Sequence, residues 1–130
     1  MTSLQHTTRT IALIGASNKP ERASYHVMEF LLARGYAVHP VNPGLAGQEI
    51  HGRKVYASLA EVPPPVDMVD IFRNTEDAAR AIEEAIMLKD RLAIKTVWCQ
   101  LGVTPHEAAK RAEAAGLTVV MDHCPAIEWR

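Results

Sequence analysis

IALIGASNKPERASYHVMEFLLARGY, residues 11–36, joins an apolar run, a glycine turn and an amphipathic segment without a break. The run before Gly15 is short and apolar, which is typical of a buried strand. After the turn, Val27, Phe30 and Leu31 recur at helical spacing. A strand that passes through a glycine turn into a helix is the first half of a βαβ unit. The stretch therefore predicts a parallel sheet with helices packed on it.

The same alternation continues along the chain. Helical patterns occupy residues 75–89 and 104–116, whereas residues 43–65 carry Gly and Pro turns where a crossover helix would normally lie. The predicted strands are residues 10–16, 36–42, 66–72, 95–101 and 117–123. This alternation predicts an α/β fold: one Rossmann-like domain with a doubly wound parallel five-stranded sheet in the order 3-2-1-4-5.

The composition is that of an ordinary globular domain. The 130 residues carry a formal net charge of -1, which gives no sign of attraction to nucleic acid or to a membrane surface. No apolar run approaches the roughly 20 residues that span a bilayer. MTSLQHTTRT, residues 1–10, lacks the apolar core of a secretory signal. We therefore expect a flexible N-terminal arm, followed by a domain of residues 10–130, in a cytoplasmic protein.

The cysteines and histidines give no signal for a metal. Cys99 and Cys124 lie in or beside apolar β-type runs, where a reduced cysteine acts as a small hydrophobe. No second Cys or His pair complements His123 and Cys124 at ligand spacing, so no metal site is expected. The apolar residues 119–121 near a predicted sheet edge leave a homodimer or an unknown protein partner open.

Residues that suit phosphate binding follow the first predicted strand. Ligands of doubly wound sheets bind at the carboxyl ends of the strands, which in the expected order centres the site between the first and fourth strands. Gly15 allows close approach to the backbone, Ser17 offers a hydroxyl, and the next helix directs its free N–H groups to the same place. Lys19 and Arg22 add positive charge that can grip a phosphate.

Two familiar nucleotide motifs do not match this turn. An NAD site carries G-x-G-x-x-G here and an acidic residue near the end of the second strand. The chain has no further glycine in residues 16–20, and its second strand ends in HPVNPG, residues 39–44, without a carboxylate. No G-x-x-x-x-G-K-[ST] occurs either. The turn therefore predicts a nucleotide site of another kind.

Several spaced motifs together carry a resemblance. IALIGAS, GYAVHPVNPG, VYASLAEVPPPVDMVDIF and VWCQLG occur in this order. They resemble the CoA-binding domain of succinyl-CoA synthetase alpha subunits and of ADP-forming acyl-CoA synthetases, and above all the stand-alone CoA-binding proteins that consist of that domain. The resemblance covers residues 10–127 and implies coenzyme A or acyl-CoA as the ligand.

The resemblance implies a set of CoA-binding positions. The first turn would face the CoA phosphates, VNP would border the adenosine, the end of the third strand would line the cleft, and the end of the fourth would meet the pantetheine arm. These positions are Gly15, Ala16, Ser17, Lys19, Arg22, Tyr25, Val41, Asn42, Pro43, Phe72, Arg73, Trp98, Cys99 and Gln100.

One position departs from the family pattern. Leu45 stands where the synthetase alpha subunits carry a lysine after VTPG, with Arg53 or Lys54 as candidate substitutes for the lost phosphate contact. The resemblance also raises the question whether Cys124 forms a mixed disulfide with the CoA thiol, which the sequence leaves open.

The catalytic chemistry of the synthetases is not carried over. They act through a phosphorylated histidine in a further domain and need a partner chain. His26 and His39 have no local signature of a nucleophile and an acid around them. We therefore expect no catalytic residues, and binding of CoA or acyl-CoA as a carrier, sensor or regulator. The alternative is an NAD(P)-dependent reductase, or a CoA-linked transferase component that needs a partner subunit.

Overall fold

In the computed structural model, which describes residues 2–129, the chain forms a parallel five-stranded sheet with helices on both faces. The sheet strands are β1 (Thr10–Ile14), β2 (Ala37–Val41), β5 (Met68–Ile71), β6 (Thr96–Cys99) and β7 (Thr118–Val120). An antiparallel hairpin contains β3 (Glu49–Ile50) and β4 (Arg53–Lys54). The helices are α1 (Thr2–Thr7), α2 (Ala23–Ala33), α3 (Thr75–Leu92), α4 (His106–Ala114) and α5 (Pro125–Glu128). This architecture confirms the Rossmann-like α/β class.

The strand order differs from the expected 3-2-1-4-5. The observed order is β2-β1-β5-β6-β7, so the third long strand pairs with β1 instead of adding outside β2. The outer side of β2 is taken by Tyr56, which donates its N–H to the Pro40 carbonyl and accepts from the Asn42 N–H. Because proline has no N–H to offer a neighbour, it favours an edge strand. The crevice of the sheet therefore opens between β1 and β5.

Alternating strand side chains build a core on each face of the sheet. The core that we call the α3-side core includes Val69, Ile71 and Val97, together with the inward faces of α3 and α4. The α2-side core includes Leu13 and Met68, together with the inward faces of α2 and α5. These two cores hold the strand ends in fixed positions under the candidate site.

Residues 2–7, expected as a flexible arm, form the helix α1. Leu4 packs against the α2-side core, and Gln5 Nε2 donates to the Trp129 carbonyl at 3.2 Å. The Tyr36 hydroxyl donates to the Gln5 carbonyl at 2.9 Å. These contacts join residues far apart in sequence, so no local pattern indicates them.

Within residues 2–129, no helix is long and apolar enough to cross a membrane.

Candidate functional site

A cleft of about 690 Å³ lies at the carboxyl ends of the strands. It runs from the loop after β2 to Cys124, which follows β7. Four strand spacings of about 4.8 Å place the outer strands β2 and β7 about 19 Å apart. The lining residues are Gly15, Ala16, Ser17, Asn18, Lys19, Arg22, Ala23, Ser24, Val27, Asn42, Gly44, Leu45, Phe72, Arg73, Asn74, Gln100, Leu101, Val103 and Cys124.

Most of the predicted site residues line this cleft. They come from the turn after β1 and from the ends of β2, β5 and β6, as expected for a site at the carboxyl ends of parallel strands. The predicted residues brought together here are Gly15, Ala16, Ser17, Lys19, Arg22, Asn42, Phe72, Arg73 and Gln100.

Trp98 and Cys99 do not reach the cleft, contrary to expectation. Both are fully buried within β6. Trp98 lies in the α2-side core, donates its Nε1 to the His123 carbonyl at 2.7 Å and packs edge-on against Trp129. Cys99 lies in the α3-side core. Because β6 ends at Cys99, Gln100 is the first residue of this segment that can face a ligand.

Three other predicted residues support the site from outside its lining. The Val41 carbonyl accepts the N–H groups of Gly15 and Ala16 at 3.0 and 3.2 Å. Pro43 is exposed and begins a 3-10 turn. Tyr25 packs its ring 4.1 Å from that of His51, whose Nε2 donates to the Tyr25 carbonyl. Tyr25 therefore anchors the β3–β4 hairpin to α2 instead of lining the cleft.

The candidate substitutes for the missing lysine lie on that hairpin. Arg53 donates to the His51 carbonyl, and Lys54 lies 5.2 Å from the ring centre of Tyr56. Neither lines the cleft, whereas Leu45 does. The position after VNPG is therefore an apolar part of the wall, and no lysine takes its place there.

Gly15 allows the ends of β1 and β5 to approach each other closely. Its φ is +85, and a Cβ built on it would lie 2.2 Å from the Phe72 carbonyl oxygen and 3.3 Å from Arg73 Nε. Since no L side chain fits there, the turn requires glycine. The sequence suggested that Gly15 leaves space for a ligand to approach the backbone, but the backbone of Phe72 already occupies the space beside its Cα. The same contact places the Arg73 side chain beside the turn.

Unpaired backbone donors surround the turn. Helix α2 starts after Arg22 without a side-chain cap, so its first N–H groups are left for another acceptor. The N–H groups of Ser17, Asn18, Ala23 and Ser24 donate to no acceptor within residues 2–129. The start of an 11-residue helix with free N–H groups favours an anion.

The cleft is positively charged. Lys19, Arg22 and Arg73 line it, and no aspartate or glutamate does so in the described part of the chain. None of these three cations forms an ion pair with another described residue. Charge-assisted bonds from such cations are the strong contacts to phosphate oxygens. The turn, the start of α2 and these three side chains therefore bring together the donors and the positive charge that suit a phosphate.

Asn42 holds two loops of the site together. Its Nδ2 donates to the Ala16 carbonyl at 2.8 Å, while its Oδ1 accepts the Gly44 N–H at 2.8 Å. Its own N–H donates to the Tyr56 carbonyl at 2.9 Å. The turn after β1 and the loop after β2 are thus fixed before any ligand arrives, which lowers the entropy lost on binding.

Several cleft residues were missed by sequence reasoning. Ser24 is 5% exposed, lines the cleft, and its hydroxyl has no hydrogen-bond partner among the described residues. Val27, Leu101, Val103 and Cys124 give part of the wall an apolar character. Ser24 stands in the first turn of α2, where a hydroxyl beside a phosphate loop is a readable signal. The apolar residues resemble core positions, and their role depends on tertiary placement.

A buried carboxyl lies under the end of β6. Asp70 in β5 is fully buried, and burial raises its pKa to about 7, against a lowering by the hydrogen bond from Gln100. Gln100 Nε2 donates to Asp70 Oδ1 at 2.5 Å, while Oδ2 has no partner in the described structure. Gln100 is therefore both a lining residue of the cleft and the contact of a buried acid.

The thiols near this acid are poor nucleophiles. Burial, with a smaller contribution from the Asp70 charge, raises the pKa of Cys99 to about 12. Burial also raises the pKa of Cys124, although the N–H groups of Ala126 and Ile127 oppose the rise. A thiol reacts as its thiolate, so the raised pKa values lower the reactivity of both groups at neutral pH.

Comparison with known proteins identifies the family. Residues 9–130 match the model of the CoA binding domain, so the chain belongs to that family and the predicted resemblance is confirmed. It is 35% identical over 116 residues to the uncharacterized protein YneT of Bacillus subtilis, an alignment that covers 89% of this chain and 82% of YneT.

Two further relatives come from Pyrococcus. The chain is 39% identical over 80 residues to the alpha subunit of ADP-forming acetate–CoA ligase I of Pyrococcus furiosus, covering 58% of this chain but 17% of that subunit. A solved structure of a hypothetical protein from Pyrococcus horikoshii OT3 superposes with a TM-score of 0.89 at 38% identity, covering 98% of this chain and 85% of that one.

Proposed function

We propose that this protein binds coenzyme A or an acyl-CoA across the carboxyl ends of its strands without acting on it chemically. The observation that carries the proposal is the meeting of Lys19, Arg22 and Arg73 with free backbone N–H groups in a cleft that no described carboxylate lines. This arrangement suits phosphates. Membership of the CoA-binding domain family supports CoA as the molecule to which these phosphates belong.

The cleft has room for an arm on either side of the phosphates. On the β2 side, Asn42, Gly44 and Leu45 would border the adenosine. On the β6 side, the polar Gln100 and the apolar Leu101 and Val103 would meet the pantetheine arm. The cleft extends on both sides of the three cations, which suits an extended ligand with its charge near the middle.

The chemistry of the lining supports binding over catalysis. No histidine, aspartate or glutamate lines the described cleft, so it lacks the usual acid and base groups. The one lining thiol, that of Cys124, has a raised pKa. We therefore propose a carrier, sensor or regulatory role, in which the bound state of the protein is itself the output.

The proposal is tested by calorimetry on protein stripped of copurified ligand, with CoA, acetyl-CoA, NAD and NADP as titrants. We expect CoA or acetyl-CoA to bind more tightly than the dinucleotides, and Arg73→Ala to weaken that binding about tenfold or more, since hydrogen bonds from charged groups contribute about 1.5–3 kcal/mol. Lys110→Ala, an exposed cation of α4 outside the cleft, is the matched control. No CoA affinity better than millimolar would overturn the proposal.

A CoA-linked transferase component that needs a partner subunit is the second candidate. The likeness to an ADP-forming acetate–CoA ligase alpha subunit favours it. Incubation with acetyl-CoA, ADP and inorganic phosphate, alone and with partners captured from the host lysate, separates the two roles, because these co-substrates let the reverse ligase reaction release acetate, ATP and free CoA. Release of free CoA only in the presence of a captured partner supports the transferase role, whereas intact acetyl-CoA in both samples supports the binding role.

A further inference from the structure

Asp70 lies fully buried, where a carboxyl group costs free energy. It lies in the middle of the sheet, with Leu13 and Trp98 as its register partners on β1 and β6. Its neighbours Val69 and Ile71 fill the α3-side core, so alternation turns Asp70 toward the α2 side. Burying a polar group with an unpartnered atom costs free energy, and such an atom in a native protein calls for an explanation.

No charge compensates this acid. The causes that set the pKa of Asp70 are burial and, against it, the hydrogen bond from Gln100, while the Asp70 charge adds to the burial that raises the pKa of the thiols of Cys99 in β6 and Cys124 before α5. From α2, Val27 and Met28 are buried whereas His26 and Glu29 are exposed. No described cation forms an ion pair with Asp70. Its protonation state is therefore governed by burial and by Gln100.

Gln100 connects this acid to the cleft. When Asp70 is ionised it can only accept, so it must hold Gln100 by the Nε2 amide group, as observed. The side-chain carbonyl oxygen of Gln100, Oε1, is then the end of the amide that is left to face the cleft. When Asp70 is protonated, its hydroxyl can donate to that carbonyl oxygen, and the amide turns over to present its NH2 group instead. One proton thus exchanges an acceptor for a donor in the cleft wall.

We propose that Asp70 is a positioning residue that selects which end of the Gln100 amide faces the ligand, so that an arm with N–H donors is held best when Asp70 is ionised. The inference rests on the proposed function, because the pantetheine arm of CoA carries two amide N–H groups. It assigns the β6 side of the cleft to a neutral, donor-bearing part of the ligand. The charged part remains at Lys19, Arg22 and Arg73.

The test compares the CoA affinity of wild type and Asp70→Asn from pH 8.5 to pH 5.5. The asparagine does not titrate, so the ratio of the two dissociation constants at each pH cancels the titration of CoA and of the histidines. We expect the CoA affinity of wild type to fall about three- to tenfold relative to that of the variant as the pH falls. This change corresponds to the net contribution of one hydrogen bond. Asp90→Asn, whose side chain is 96% exposed, controls for the change in net charge and should show no such trend.

Two further measurements locate the effect. Adenosine 3′,5′-bisphosphate, which lacks the arm, should show a pH-independent ratio, and Gln100→Met should bind CoA with the pH dependence of Asp70→Asn. A flat ratio for CoA overturns the inference, as does an equal trend with the arm-free nucleotide, which would indicate charge repulsion of the phosphates. Absence of CoA binding at every pH would instead overturn the proposed function. If Asp70→Asn does not fold, Gln100→Met against wild type gives the same comparison.

Discussion

Gly15 is the residue on which the geometry of the turn depends most directly. We expect Gly15→Ala to lower the free energy of unfolding by about 3 kcal/mol, because a left-handed φ costs an L residue about 1–2 kcal/mol and overpacking about 1–3 kcal/mol more. Urea denaturation measures the change. Gly116→Ala is the matched control, since Gly116 has a φ of +96 but nothing within 4 Å of an added Cβ. Equal losses in the two variants would show that the Phe72 contact carries no energy.

Asn42 is the residue that couples the two loops of the cleft. Asn42→Asp keeps an oxygen for the Gly44 N–H but loses the donor to the Ala16 carbonyl and places a negative charge beside the proposed phosphate site. We expect CoA affinity to fall about tenfold or more, since a hydrogen bond and a charge repulsion change together. Gln48→Glu makes the same chemical change at an exposed residue outside the cleft lining. A similar loss in both variants would point to net charge instead of Asn42.

At the scale of single elements, an aromatic contact joins the β3–β4 hairpin to α2, in addition to the burial of Ile50 in the α2-side core. His51 packs on the Tyr25 ring and donates to its carbonyl, and its φ of 50 is one that asparagine tolerates. We therefore expect His51→Asn to speed amide exchange in the hairpin, where Val55 N–H donates to Gln48 and Gly47 N–H to Val55. Exchange at Val69 in β5 should stay unchanged. Unaltered hairpin protection would show that other contacts hold this element.

The helices and strands were predictable from the sequence because each has its own hydrophobic periodicity. The order of the strands in the sheet was not predicted correctly. Pro40 carried the missing signal: a proline inside the second strand leaves one side without a donor, which favours the edge position that β2 takes. The end of β6 shows a smaller error. The predicted strand of residues 95–101 extends past the real end at Cys99, and the side chains of Trp98 and Cys99, expected in the cleft, each point into one of the two cores.

For the whole molecule, the site was predictable to the extent that it follows strand ends. The turn after β1 and the residues after β2, β5 and β6 are readable because parallel strands deliver their carboxyl ends to one edge. Ser24 and Val27 reach the same cleft from α2, and Cys124 reaches it from the segment before α5. Their placement depends on how the helices pack on the sheet, which no local spacing specifies. The contact of Gln5 with Trp129 is of the same long-range kind.

The stability of the whole molecule depends on pH through the carboxyl group of Asp70. Its carboxyl has an ordinary pKa of 3.8 in the unfolded chain and one of about 7 in the fold. The folded state therefore binds more protons between these values, and its stability falls as the pH rises from about 4 to about 7, then levels off. We expect wild type to lose a few kcal/mol relative to Asp70→Asn over this range, at about 1.4 kcal/mol per pKa unit as an upper bound. Urea unfolding of both proteins at pH 4.5, 6 and 8 measures it. Stability differences that do not change with pH would show that Asp70 titrates alike in the folded and unfolded chain, and that its burial is relieved by water.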